Sequence, residues 1–169
     1  GEAKNALMGI KLREAMSSDN LLEEKQIEKE EAELDTTPIP EFTVEYARQL
    51  MEEMAQDKRP QPHIVTEMLK RMKEINLKME NIVKLERKGP IRVVGDTHGQ
   101  FQDFRHIFAL YGEPSSENPY LFNGDYVDRG SMGIEIVLSL FAWKLAIPDS
   151  IYMNRGNQYV FNLIIIKNE

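Results

Sequence analysis

Three short polar runs carry the side chains in this sequence that could do chemistry: Gly-Asp-Thr-His-Gly-Gln at 95–100, Gly-Asp-Tyr-Val-Asp-Arg-Gly at 124–130 and Arg-Gly-Asn-Gln at 155–158. Carboxylate, imidazole and amide oxygen, without thiolate, suit a divalent ion of the Mn, Fe or Zn type. A shared carboxylate can bridge two such ions about 3.5 to 4 Å apart. Asp96, His98, Asp125 and Asn157 are the candidate ligands. A metal pair of this kind activates water, and Arg129 offers a planar fork for phosphate oxygens. Each residue taken singly has an ordinary reading as well. Asp96 can cap a turn, Asp125 and Asp128 can accept loop hydrogen bonds, and Arg129 can pair with them. What favours chemistry is that each run directly follows a β-rich segment, with Gly95, Gly99, Gly124, Gly130 and Gly156 allowing left-handed backbone and close approach in tight ligand loops.

Those segments are Ile-Arg-Val-Val at 91–94, Tyr-Leu-Phe-Asn at 120–123 and Ile-Tyr-Met-Asn at 151–154. Two helical patterns separate them. From Phe101 to Tyr111, Phe104, Ile107, Phe108 and Tyr111 share a face, with Gly112 as the stop; after Ser131 as a cap, Ile134, Val137, Leu138, Phe141 and Leu145 mark a second helix. Trp143 reads as a packing residue. Strand alternating with helix implies crossovers and a parallel α/β sheet. Ligands of open α/β sheets bind outside the carboxyl ends of the strands, so parallel pairing brings the three polar runs to one edge.

Two amphipathic helices precede this part. Val44, Ala47, Leu50, Met51 and Met54 predict one over 43–57, and Ile64, Met68, Met72, Ile75, Met79 and Ile82 predict another over 63–85, both stripes reading as core. Residues 20–36 mix helix formers with charge and read as a solvated linker helix, or as an acidic partner-binding face, ended by Pro38 and Pro40. His63 and His106 lie outside the polar runs and read as surface or packing residues.

Composition narrows the class. With 169 residues, 41% hydrophobic and 29% charged, the chain can bury a core and is neither collagen-like nor wholly disordered. Net charge is −7, and residues 1–40 hold ten acidic against five basic side chains, so the basic stripe of a nucleic-acid binder is missing. The longest apolar stretch, 136–147, is short of the roughly 20 residues needed to span a bilayer. No Cys is present, which excludes disulfides and thiolate chemistry and favours an intracellular setting. The opening residues lack an initiator Met and an apolar signal core, so the chain reads as the interior of a longer one.

The runs at 95–99 and 124–130 resemble the first two signatures of the phosphoprotein phosphatases, the metal-dependent protein-serine/threonine phosphatases. The stretch 118–131 is most similar to the type 5 branch, whose members carry an N-terminal tetratricopeptide domain. The resemblance implies an α/β, metallophosphatase-like β-sandwich flanked by helices, present in truncated form and preceded by a helical segment. It divides the chain into an acidic helical linker (1–41), a helical approach (42–89), the N-terminal part of the catalytic domain (90–157) and an unrelated tail (158–169).

By position, Asp96 and His98 correspond to ligands of a first metal, Asp125 to the bridging carboxylate and Asn157 to a ligand of a second. Mn2+ is the expected metal, with Fe and Zn as alternatives. Arg129 corresponds to a substrate-phosphate ligand, and Asp128 to the carboxylate that orients the family's general-acid His. The implied substrates are phosphoserine and phosphothreonine proteins, with a chaperone partner through a tetratricopeptide domain outside this sequence, no nucleic-acid or membrane partner, and a cytoplasmic and nuclear location.

The third run departs from the family, because Gln158 stands where the general-acid His belongs and cannot donate a proton as an imidazolium does. The tail 159–169 resembles nothing in the family and is rich in residues with A/T-rich codons, as translated intron or a frameshift would be. The family's second half, with further metal and phosphate ligands, is absent, so the expectation is an inactive fragment with exposed sheet edges. The alternatives are a non-catalytic helical partner-binding module, and a different binuclear metallophosphoesterase acting on nucleotides or small phosphoesters.

Overall fold

The structure, a computed structural model, describes residues 37–156 apart from Asn81 and residues 86–88. The linker helix expected over 20–36, and Asn157, Gln158 and the tail, lie outside the described residues. The described residues from Ile39 onward fall in one compact unit.

Helix α1 (Val44–Ala55) begins where Thr43, in extended backbone, accepts a hydrogen bond from Tyr46 N at 3.2 Å. That satisfies one of the donors a helix start leaves unpaired. Its buried residues are Ala47, Leu50, Met51 and Met54, four of the five in the stripe read from the sequence, while Val44 is half-buried. Helix α2 (Pro62–Lys78) starts on a proline, whose fixed φ suits the first turn. It buries Ile64, Met68 and Met72, but it stops seven residues before the expected end at Leu85. Ile82 lies beyond the helix and is 75% exposed, and Ile75 is only half-buried. The chain must lead from α2 into the sheet, and extended residues cover about 3.3 Å each against 1.5 Å in a helix.

Strands β1 (Arg92–Val94), β2 (Tyr120–Phe122) and β3 (Ile151–Met153) form one parallel sheet in the order β1-β2-β3. Tyr120 sits opposite Arg92 on one side and Ile151 on the other. Helices α3 (Phe101–Tyr111) and α4 (Gly133–Ala146) make the crossovers. The expected parallel α/β core is therefore present. Among the described residues the second layer of a sandwich is not: one sheet is seen.

Helix α3 buries Phe101, Phe104 and Phe108, and Gly112 ends it at a φ of 85°. Tyr111, expected on the buried face, is exposed and lies under the Arg92 guanidinium at 5.1 Å. The rings of Phe104 and Phe122 are 5.6 Å apart and those of Phe108 and Tyr120 5.1 Å, so α3 meets the central strand through aromatic contacts.

Helix α4 departs most from its reading. Its N-cap is Met132, not Ser131, and the start is held through Met132 N donating to Gly99 O at 3.3 Å. Ile134 is exposed, whereas Ile136, Leu138, Ser139, Leu140, Ala142 and Trp143 are buried. This helix packs against the other three helices and β3, so it is apolar nearly all round and periodicity could not specify a face. Trp143 is a packing residue as read, 1% exposed, with Nε1 3.1 Å from Met51 Sδ. No helix among the described residues is long and apolar enough to cross a membrane.

The α2 stripe can be checked by truncation. Met72 is 2% exposed and Leu77 is 75% exposed. Met72→Ala should lower the unfolding free energy by about 2–4 kcal/mol in urea denaturation, whereas Leu77→Ala should stay within about 0.5 kcal/mol.

Candidate metal centre

Each parallel strand delivers its polar run to the same edge of the sheet, and three side chains from two of the runs converge there. One ligand atom each from Asp96, His98 and Asp125 lie within 4.8 Å of one another. Asp96 is exposed, while His98 and Asp125 are both 8% exposed. Two carboxylates this close repel one another unless a cation lies between them.

The imidazole is set for such a cation. His98 Nδ1 is 2.9 Å from Val127 O, and a carbonyl can only accept, so Nδ1 carries the proton. The free lone pair is then on Nε2, which is 3.6 Å from Asp96 Oδ2. Metal-binding histidines commonly donate their other N–H to a carbonyl in this way, which fixes tautomer and ring orientation. The donor set and its geometry therefore fit one divalent ion. Val127 escaped the sequence reading because a backbone carbonyl has no residue-type signature.

The loops are tied by main-chain hydrogen bonds. Thr97 N and His98 N both donate to Asp125 O, at 3.2 and 3.0 Å, and Gly99 N donates to Tyr126 O at 2.9 Å. Gly130 N donates back to His98 O at 2.8 Å. Tyr126 secures the third loop, its hydroxyl donating to Asn154 O at 2.8 Å. Burial is the main reason that the Tyr126 phenol is held well above its usual pKa, with the Asp125 charge adding to it.

Close packing demands glycine at four of the five positions read from the sequence. A Cβ on Gly99 would run into the backbone of Gly130, and the reverse; a Cβ on Gly124 would run into the backbone of Gly156. A Cβ on Gly156 would overlap Asp125 Oδ1 and N directly. Gly95 is the exception, since nothing lies within 4 Å of where its Cβ would be. His98, Asp125, Asp128 and Arg129 all have positive φ, between 41° and 65°. Such clustering of uncommon backbone at non-glycine residues is typical of functional loops. Asp128 and Arg129 are both exposed, on the loop that also carries Asp125. Asn157 and Gln158 lie outside the described residues, and neither His63, half-buried on α2, nor His106, exposed on α3, joins the cluster.

Gly156→Ala should displace Asp125 and weaken Mn2+ binding in calorimetry by about 10- to 100-fold, the effect of disturbing groups that support a ligand. Gly95→Ala should leave it unchanged. Tyr126 stays protonated in the folded state above pH 10, where an unfolded tyrosine ionises. Its contribution to stability is therefore complete below about pH 10 and declines as pH rises beyond it. In alkaline urea titrations Tyr126→Phe should flatten that decline.

Residues 89–158 match the family described as calcineurin-like phosphoesterase. Over 123 residues the chain is 41% identical to the human serine/threonine-protein phosphatase 5, covering 72% of this chain and 25% of that protein. The Arabidopsis thaliana serine/threonine-protein phosphatase 5 is 43% identical over 119 residues, 69% of this chain and 22% of that protein. The Schizosaccharomyces pombe serine/threonine-protein phosphatase T is 40% identical over 119 residues, 69% of this chain and 25% of its own length. Among solved structures, a protein serine/threonine phosphatase from Saccharomyces cerevisiae with similarity to human phosphatase PP5 aligns with a TM-score of 0.59 at 31% identity, over 65% of this chain and 38% of that one. The chain spans about a quarter of the length of the curated relatives it matches. Sequence and fold agree on the same assignment: residues 89–158 are a calcineurin-like phosphoesterase segment, and over about 70% of its length the chain is similar to serine/threonine-protein phosphatases named type 5.

Proposed function

We propose that this chain supplies the first-metal half of a binuclear phosphatase site that hydrolyses phosphoserine and phosphothreonine in proteins. The observation that carries the reading is the convergence of Asp96, His98 and Asp125 around one point, with His98 Nε2 turned toward Asp96 by the Val127 carbonyl. A bound divalent ion would supply a Lewis acid for phosphoryl oxygen and water of lowered pKa.

The chain's own residues do the positioning. Asp96, His98 and Asp125 would hold the first ion, with the Asp125 carboxylate as the bridge to a second. Asn157 directly follows Gly156 in sequence and is proposed as a second-ion ligand on its position in the third polar run. Mn2+ is the proposed metal. Arg129 sits in the Asp125 loop and is exposed, as a residue meeting substrate phosphate must be. Asp128, beside it, is proposed to orient a general-acid imidazole. Gln158, at that family position, can hold hydrogen bonds but cannot protonate the departing serine or threonine oxygen. We further propose a cytoplasmic and nuclear setting, and a chaperone partner for the longer protein through a tetratricopeptide domain.

Two lesions then separate. Losing the acid removes a contribution of typically 10²–10⁴-fold; lacking the partner half removes ligands of the second ion, a larger electrostatic loss. Phosphopeptide hydrolysis by the 169-residue chain should stay at background with Mn2+, and Gln158→His should not rescue it. Joining residues 1–157 to a catalytic C-terminal half that begins with the missing His should produce Mn2+-dependent turnover. In that joined enzyme Asp96→Asn should abolish turnover, and Arg129→Ala should weaken substrate affinity as well as rate. Hydrolysis by the Gln158→His chain alone would refute the division of labour proposed here. Preference for nucleotides over phosphopeptides in the joined enzyme would favour a small-phosphoester enzyme.

A further inference from the structure

Uncovered apolar surface is concentrated in one stretch of the chain. Five of the eleven exposed large hydrophobic side chains among the described residues, Leu77, Met79, Ile82, Val83 and Leu85, fall between positions 77 and 85, where the chain leaves α2 for the sheet. Two adjoining cavities of about 400 and 500 Å3 lie between this stretch and β3, sharing Met79, Val83, Leu85, Lys144 and Tyr152 as walls. The first reaches Asn154, just past the carboxyl end of β3, and the second reaches Pro148 and Asp149, just before its start. Together they form one trough along β3. Leu121 in its floor sits opposite Tyr152, on the sheet face away from Tyr120 and Phe122, which meet α3.

The walls select an apolar occupant. Met79, Val83 and Leu85 are 37–44% exposed, and Leu121, Tyr152 and Met153 are half-buried, so the trough presents open apolar surface of the kind that marks docking sites. The buried ammonium of Lys144 already donates to Pro148 O and lies over the Tyr152 ring at 4.8 Å, so it calls for no anion. A matching segment starts near the mouth of the trough. Residues 159–166 read Tyr-Val-Phe-Asn-Leu-Ile-Ile-Ile, and Gly156, the last described residue, is only two past Asn154. The trough follows β3 from Asp149 to Asn154, about 17 Å at 3.3 Å per residue, and eight extended residues cover about 26 Å, enough to fill it after a turn at 155–158. Alternate residues of an extended segment share a face, and Phe161, Leu163 and Ile165 make an unbroken apolar set, whereas the opposite set includes Asn162.

We propose that residues 159–166 of this chain fold back along β3 and fill the trough, with Phe161, Leu163 and Ile165 directed at Met79, Val83, Leu85 and Tyr152. Gly156, whose backbone packs on Asp125, is then held from both sides, by β3 and by the docked segment. The docking is independent of metal and of the phosphatase reading.

The chain has no cysteine, so introduced pairs report proximity without background. In the full chain, Val83→Cys would be combined in turn with a cysteine substitution at each position from 160 to 165 and oxidised under mild conditions. A disulfide requires Cβ atoms about 4 Å apart, so monomeric cross-links should form at 161, 163 or 165 about tenfold faster than at 160, 162 or 164. Urea unfolding tests the same contact without a cross-link. Val83→Asp and Leu163→Asp should each lower the midpoint, and the double variant should fall no further than the worse single, because both remove one contact. No monomeric cross-link at any position, equal rates at odd and even positions, cross-linked dimers that would make a second copy the occupant, or midpoint losses that simply add would each overturn the proposal.

Discussion

Backbone pressed directly on backbone at the carboxyl edge of the sheet is the constraint on which the rest of this structure depends. Gly99 meets Gly130, and Gly124 meets Gly156, so three loops from three different strands approach more closely than any side chain would allow. Main-chain hydrogen bonds from Thr97, His98 and Gly99 to the loop after β2 become possible at that separation, and through them Asp125 is brought to Asp96 and His98. A ligand cluster assembled in this way owes its geometry to the main chain. The side chains that would touch metal arrive as a consequence.

Holding such loops requires a rigid support, because several of their residues are in uncommon conformations. His98, Asp125, Asp128 and Arg129 all adopt positive φ, which for side-chain-bearing residues costs energy that surrounding structure must offset. The offset comes from below the edge. Tyr120 and Phe122 of the central strand are fully buried beneath Phe104 and Phe108, and α4 lies at the centre of the helical layer with Trp143 packed between Phe108 and Met51. Helices α1 and α2 contribute by covering α4, so the segment ahead of the polar runs is part of the same core.

That arrangement also separates two kinds of surface. The metal edge is polar, tightly hydrogen-bonded and built on glycine contacts. The α1–α3 side carries the Arg48–Glu113 and Arg105–Glu52 ion pairs over the buried Met51, Phe108 and Trp143, where α1 meets the first crossover helix. Since α3 begins directly after Gln100, the two surfaces share one rigid element, yet no residue belongs to both.

Residue type and order alone determined the parallel α/β alternation, the positions of the strands, most of the α1 stripe and the choice of Asp96, His98 and Asp125 as candidate ligands, because each rests on local periodicity or on chemistry that a side chain carries with it. Tertiary structure decided what local pattern could not. The buried face of α4 depended on neighbours surrounding it on nearly every side, and the early end of α2 on where the chain had to travel next. Tyr111 lies outward at the end of α3, where Arg92 of the neighbouring strand places a guanidinium over its ring. The tautomer of His98 is set by a carbonyl 29 residues away, and the need for glycine at 156 by the carboxylate of Asp125; neither is visible until loops distant in sequence are brought into contact.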